Sequence, residues 1–281
     1  MTAVAVALRT RRRLRGRAAV GAAILVILVL VALLAPVLAP HDPNAIDPSR
    51  VLAGPDASHP FGSDALGRDV LSRVLFAYRV SLGVAVGSVL VAMAVGIPLG
   101  LLAGYHGGWV DSLLMRPVDL LLALPALLLA LSLIAIIGPG SGVALFAIAV
   151  IYLPILARVV RGSVLGVKGE AYVIGARARG VSRTGCMLRH VLPNSLGPAV
   201  VQASVLMGFA IQIEAALSFL GLGAQPPTPS LGLMLADGYQ VLQQAPWADI
   251  YPGLAIAITV LAFTLIGDGL RDHFDPRGVS R

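Results

Sequence analysis

The chain has 281 residues, of which 57% are hydrophobic and only 12% charged, and its mean hydropathy is +0.88. Soluble domains are about a quarter charged, so this composition excludes an ordinary soluble enzyme or binding module and points to lipid. The net charge of +7 raises a nucleic-acid reading, which the placement of the charges removes below. The single cysteine, Cys186, excludes an internal disulfide and a cysteine-based metal cluster.

A transmembrane helix needs ~20 mostly apolar residues, and six stretches qualify: 18–39, 81–105, 113–137, 142–160, 196–222 and 251–270. The first follows a basic N-terminal segment, 1–17, that holds Arg9, Arg11, Arg12, Arg13, Arg15 and Arg17. Its apolar run is about twice the ~7–15 residues of a signal-peptide core, and the small-residue site near its end is followed by Pro40, so an uncleaved span is expected. The loop 40–80 is rich in Pro, Asp and Gly as far as Gly67. It then places Val70, Val74, Ala77 and Val80 at helical spacing among Arg68, Asp69, Arg73 and Arg79, which predicts an amphipathic helix on the membrane surface before the second span.

The second span carries Gly83 and Gly87, then Gly96, Gly100 and Gly104, each group at four-residue spacing, a pattern that lets helix backbones approach closely in lipid. Pro98, Pro125 and Pro154 fall inside the second, third and fourth spans, where neighbouring helices can re-satisfy the freed carbonyls. Arg116 and Asp119, three apart at one end of the third span, are expected to pair on one helix face. Trp109, Trp247 and Tyr251 lie near span ends and suit an aromatic belt.

Lys and Arg set the orientation. With the N-terminus cytoplasmic, seventeen of the twenty-one fall in inner segments, and only Arg50, Arg68, Arg73 and Arg79 lie outside, diluted by aspartates. Both termini are then cytoplasmic, the second as a tail at 271–281. The basic charge is a topology signal, and no nucleic-acid partner is expected.

The longest inner segment, 161–195, contains GEAYVIGARARG at 169–180. Residues 170–179 hold no Pro and one Gly, so a short helix is expected there. Tyr172, Ala176 and Arg179 would share one face, with Val173, Arg177 and Gly180 beside them. Gly180 suits the left-handed position after a helix end, and Ser182 can cap the next helix. A basic loop that only anchors topology needs a few arginines; a glycine-broken helix pair with an exposed tyrosine is what a docking element for a cytoplasmic protein requires.

Recognisable catalytic signatures are missing: no G-x-x-x-x-G-K-[ST], H-E-x-x-H, G-x-S-x-G or C-x-x-C occurs. The five histidines are spread over loops and ends, so neither a metal site nor a catalytic group is expected. Within the apolar runs, Glu214 and Gln212 stand out, because a mid-membrane carboxylate costs about 2.5 kcal/mol or more. They line a translocation path or make a polar contact between helices.

These stretches resemble the permease subunits of binding-protein-dependent ABC importers. Their cytoplasmic motif reads Glu-Ala-Ala, three residues, Gly, nine residues, Ile-x-Leu-Pro. Aligned on the Gly and the Pro, this chain matches at Ala176, Gly180, Leu192 and Pro193. It departs at Ile174, where the motif has Glu, at Gly175 and at His190; Glu170 lies one turn earlier and carries a negative charge. HPFGSDALGRDVLSRVLFAYRVSL (59–82), RHVLPNSLGP (189–198) and IEAALSFLGLGAQPPTPSLGLML (213–235) are similar to the second permease of dipeptide, oligopeptide and nickel importers.

The resemblance implies an all-α membrane protein with six transmembrane helices in a type I ABC importer permease-like bundle, in a bacterial cytoplasmic membrane. It implies a second homologous permease, two ABC ATPases that carry ATP and Mg, and an extracytoplasmic substrate-binding protein, with no cofactor or ATPase site on this chain. Glu170, Tyr172, Ala176, Arg177, Arg179 and Gly180 would then form the coupling element. Di- or oligopeptides are the expected cargo. A nickel importer of the same family and an ion-coupled secondary transporter are the alternatives, the latter calling for mid-membrane charges and inverted repeats that the sequence does not display.

Overall fold

The computed structural model describes the backbone of residues 2–274 and the side chains of residues 18–272. The N-terminal arginine side chains and the end of the basic tail therefore lie outside the described residues. Among the described residues there are no strands, only helices and one isolated bridge between Ser63 and Asp69.

The helices are α1 (Thr2–Leu38), α2 (Val70–His106), α3 (Gly108–Ala123), α4 (Ala126–Ile137) and α5 (Ser141–Val167). They continue with α6 (Ala171–Ala178), α7 (Arg183–Cys186), α8 (Leu192–Phe219), α9 (Leu231–Gln240) and α10 (Trp247–Phe274). A turn of π-helix, Met187–Val191, joins α7 to α8. Five helical segments are long and apolar enough to cross a membrane, and the bent pair α3–α4 supplies a sixth if it is one span.

Two expectations about the elements change. The surface helix before the second span does not exist as a separate unit, because α2 runs unbroken from Val70 for 37 residues, about 55 Å. Asp69 caps its start, accepting from the backbone N–H of Ser72 at 2.8 Å, and no breaker interrupts the helix at residue 81. Val70, Val74 and Ala77 are buried against the rest of the fold, not laid on lipid. The third span is broken: α3 and α4 meet at 96°. Pro125 lacks an N–H and pushes the preceding residue out of the helical region, and Leu124 is extended at ψ 137°. The stretch between α8 and α10 also contains α9, capped by Ser230, whose hydroxyl accepts from Leu233 N–H at 3.2 Å.

The core is built where α2 lies against α5. The glycine row works as expected over its second half: a Cβ on Gly96 would come 3.0 Å from the Leu153 carbonyl, and one on Gly104 2.9 Å from that of Arg161, with Ala157 facing Gly100 between them. Gly83 faces open space and Gly87 a leucine side chain. Successive glycines thus meet successive turns of α5 as the two helices run in parallel. α8 packs on both, α10 on α8, and α1 along α10 and α2.

Candidate functional site

At one end of the bundle α5 gives way to α6. Eight residues are too short for an independently stable helix, so α6 needs a seat. Val173 and Ala176 supply it, at 1% and 0% exposure; Val173 belongs to an apolar cluster with Leu101, Val160, Val164 and Val191. Ala176 is therefore a seating residue and does not share an outward face with Tyr172. Gly180 stands at φ +87°, and Val181 N–H bonds back to the Ala176 carbonyl at 3.2 Å, the six-to-one bond of a glycine-terminated helix. Ser182 caps α7, accepting from Gly185 N–H at 3.1 Å.

The opposite face of α6 is open. Tyr172 is 44% and Ile174 58% exposed, and Glu170, Arg177 and Arg179 are also exposed. Glu170 sits at the N-cap without a side-chain capping bond, where a negative charge suits the helix dipole. Ile174, at the motif's glutamate position, points outward.

Beside this end, α3 and α5 are tied by two ion pairs. Arg161 grips Asp111 with two bonds of 2.6 Å, and Arg158 bonds Asp119 at 2.7 Å. The expected Arg116–Asp119 pair is not formed; Asp119 turns to Arg158 on the facing helix, and Arg116 is exposed.

Glu214 and Gln212 do not make one site. Two residues apart on a helix they face opposite ways: Gln212 is exposed and Glu214 is 1% exposed. Glu214 lies near the end of α8, not at its middle. It accepts from Ser218 Oγ at 2.8 Å, while Ser81 Oγ accepts from Leu231 N–H at 3.2 Å beside it. This knot joins α2, α8 and α9, and it favours the helix-contact reading of Glu214.

The end remote from α6 holds a polar network that sequence reading missed. Asp64 accepts from Arg68 Nε at 2.7 Å and from the backbone of Leu66 and Arg68. Arg73, 1% exposed, approaches Asp64 and Asp237. The outer arginines carry the signal, but helical spacing and charge counting assign them only to a surface helix and to the topology. Trp247 and Tyr251 serve this end too: the indole donates to the Ser63 carbonyl at 3.0 Å, and Tyr251 stacks on Phe61 at 3.9 Å. Two of the histidines thought dispersed, His41 and His59, lie together beside Asp69. Their rings stack at 4.3 Å and 9°, so their in-plane lone pairs do not converge on one point.

The chain's similarities agree with this geometry. Residues 96–278 match the family described as binding-protein-dependent transport system inner membrane component, and residues 9–55 match the N-terminal TM domain of oligopeptide transport permease C. Over 260 residues the chain is 45% identical to the dipeptide transport system permease protein DppC of Alkalihalophilus pseudofirmus, covering 92% of this chain and 86% of that one. It is 46% identical over 248 residues to the glutathione transport system permease protein GsiD of Pectobacterium atrosepticum, covering 88% and 82%. The glutathione permease of Escherichia coli is 45% identical over the same length. An all-helical bundle with five or six candidate spans and matches across nearly its whole length, the chain belongs to the inner membrane permease family of binding-protein-dependent transport systems.

Proposed function

We propose that the chain forms half of the translocation path of an ATP-driven peptide importer, with a second permease as the other half. Two ATPases would carry ATP and Mg and dock beneath it, and an extracytoplasmic binding protein would deliver the cargo. The α6 end faces the cytoplasm in this reading, in agreement with the Lys and Arg placement. The carrying observation is the construction of α6. Val173 and Ala176 fix the helix to the bundle, Gly180 ends it, and Tyr172, Ile174, Arg177 and Arg179 are left outward as a rigid contact. Closure of the ATPase pair then pushes on α6, and the push passes into α5 and α8, so that the path opens alternately to the two sides. Short peptides are the favoured cargo because two of the relatives are permeases for dipeptides and glutathione.

The test is Tyr172→Asp in the full complex reconstituted in proteoliposomes. An exposed aromatic at an interface centre is a typical anchor, and a carboxylate there is expected to cut ATP-dependent dipeptide uptake more than about tenfold, an interface loss of ~1.4 kcal/mol or more. The chain should still insert and pair with the second permease. Undiminished uptake by this variant would falsify the docking role of α6.

A further inference from the structure

Between the start of α2 and α9 lies a cavity of about 240 Å³. Pockets for drug-sized ligands run ~300–1,000 Å³, so this one takes a terminal group and not a whole peptide. Arg68, Arg73, Asp64 and Asp237 form its polar wall, and Met234 and Val241 part of its apolar wall.

A guanidinium carries five N–H donors. Arg73 is almost fully buried, yet its hydrogen bond is a single long one, to the Pro43 carbonyl at 3.3 Å. The two carboxylates stand 3.5 and 3.9 Å from its nitrogens, outside the ~2.7–2.9 Å of a charge-assisted bond. Asp64 is committed to Arg68 and to the loop backbone. Asp237 is not: its carboxylate sits 3.4 Å from Arg68, its side chain is 42% exposed, and burial pushes its carboxyl above the ordinary aspartate value.

We propose that this cavity binds a carboxylate, with Arg68 and Arg73 as the donors and Asp237 as the resident counter-ion that the ligand displaces. The exchange of one carboxylate for another leaves the cavity's charge unchanged, and it unties the Asp237 contact that links α9 to Arg68 and Arg73. Two sources supply the group at the face that the proposed function places outside: the C-terminus of the cargo peptide, or an acidic side chain of the binding protein. In that placement the inference rests on the proposed function.

The chain has two tryptophans, and Trp247 bonds the backbone beside Asp64. In a Trp109→Phe background, the full chain in nanodiscs is titrated with alanyl-alanine, with its C-terminal amide, and with N-acetyl-aspartate N-methylamide, following Trp247 fluorescence. A saturable change with a free carboxylate and none with the amide is expected. Asp237→Asn, which removes the competing carboxylate, should tighten binding about tenfold. A gain of that kind cannot come from misfolding. Arg68→Gln should abolish the response.

Response to the dipeptide assigns the cargo as source, and response to the aspartate derivative alone assigns a protein side chain; response to both supports the site for either. No saturable response in either the parent or Asp237→Asn overturns the proposal. The measurement needs no ATP and no partner. A chain that binds carboxylates but supports no ATP-dependent uptake sinks the transport reading alone, and the converse sinks this one.

Discussion

Asp64 shows how much one side chain holds together at the end remote from α6. It closes the turn through Leu66 and Arg68 N–H, fixes the Arg68 guanidinium and faces Arg73. Breaking a buried ion pair from one side leaves an uncompensated charge, a loss of about 3–5 kcal/mol. Asp64→Ala is therefore expected to lower the thermal midpoint of the detergent-solubilised chain far more than Asp237→Ala, whose side chain is 42% exposed. Equal shifts for the two would show that the buried network does not hang on Asp64. Gly180 and Ser182 were readable as residues, because a positive φ and an N-cap are local demands. The partner of Asp119 was not readable: helical spacing offered Arg116, and the choice fell to Arg158 thirty-nine positions away.

Among the elements, the contact of α2 with α5 depends on backbone approach, and the glycines that matter can be told from those that do not. Gly100→Val would drive a side chain into the Ala157 carbonyl, whereas Gly83→Val meets open space. Overpacking of this kind costs about 1–3 kcal/mol and sometimes more. A melting series is expected to show a clear loss for Gly100→Val and little change for Gly83→Val. Of the glycines in α2, only those from Gly96 to Gly104 meet the α5 backbone, while Gly87 meets an α5 side chain and Gly83 open space, because a row of small residues states that a helix can approach closely and not which neighbour does. Proline behaved likewise. Pro98 and Pro154 sit inside continuous helices, while Pro125 marks a bend of 96°; all three remove one N–H, and the surrounding packing decides whether the helix survives.

For the whole molecule, the arrangement of ends makes a direct prediction. Cys186 is buried, so a Cys186→Ala chain gives a clean background for labelling. Ile174→Cys at one end and Tyr239→Cys at the other are both well exposed, at 58% and 65% for the native residues. In intact cells an impermeant maleimide is expected to label position 239 and to reach position 174 only after the membrane is opened. The reverse pattern would overturn the proposed orientation and with it the proposed role of α6 as an ATPase contact.

The sequence by itself determined the membrane class, the apolar stretches that become helices, the short helix ended at Gly180 and the family. Each rests on local physics: hydrophobic length against bilayer thickness, dihedral preference at Gly180, and short motifs whose residues lie close in the chain. Only the tertiary structure decided that α2 runs on through the expected surface helix, that α3 and α4 meet at a bend of 96°, and that Glu214 is the buried and Gln212 the exposed member of that pair. It alone brought Arg68 and Arg73 to Asp237, 169 positions from Arg68. Those outcomes depend on which distant surfaces bury a charge or a carbonyl together, and pairings at long range leave no periodic trace in the chain.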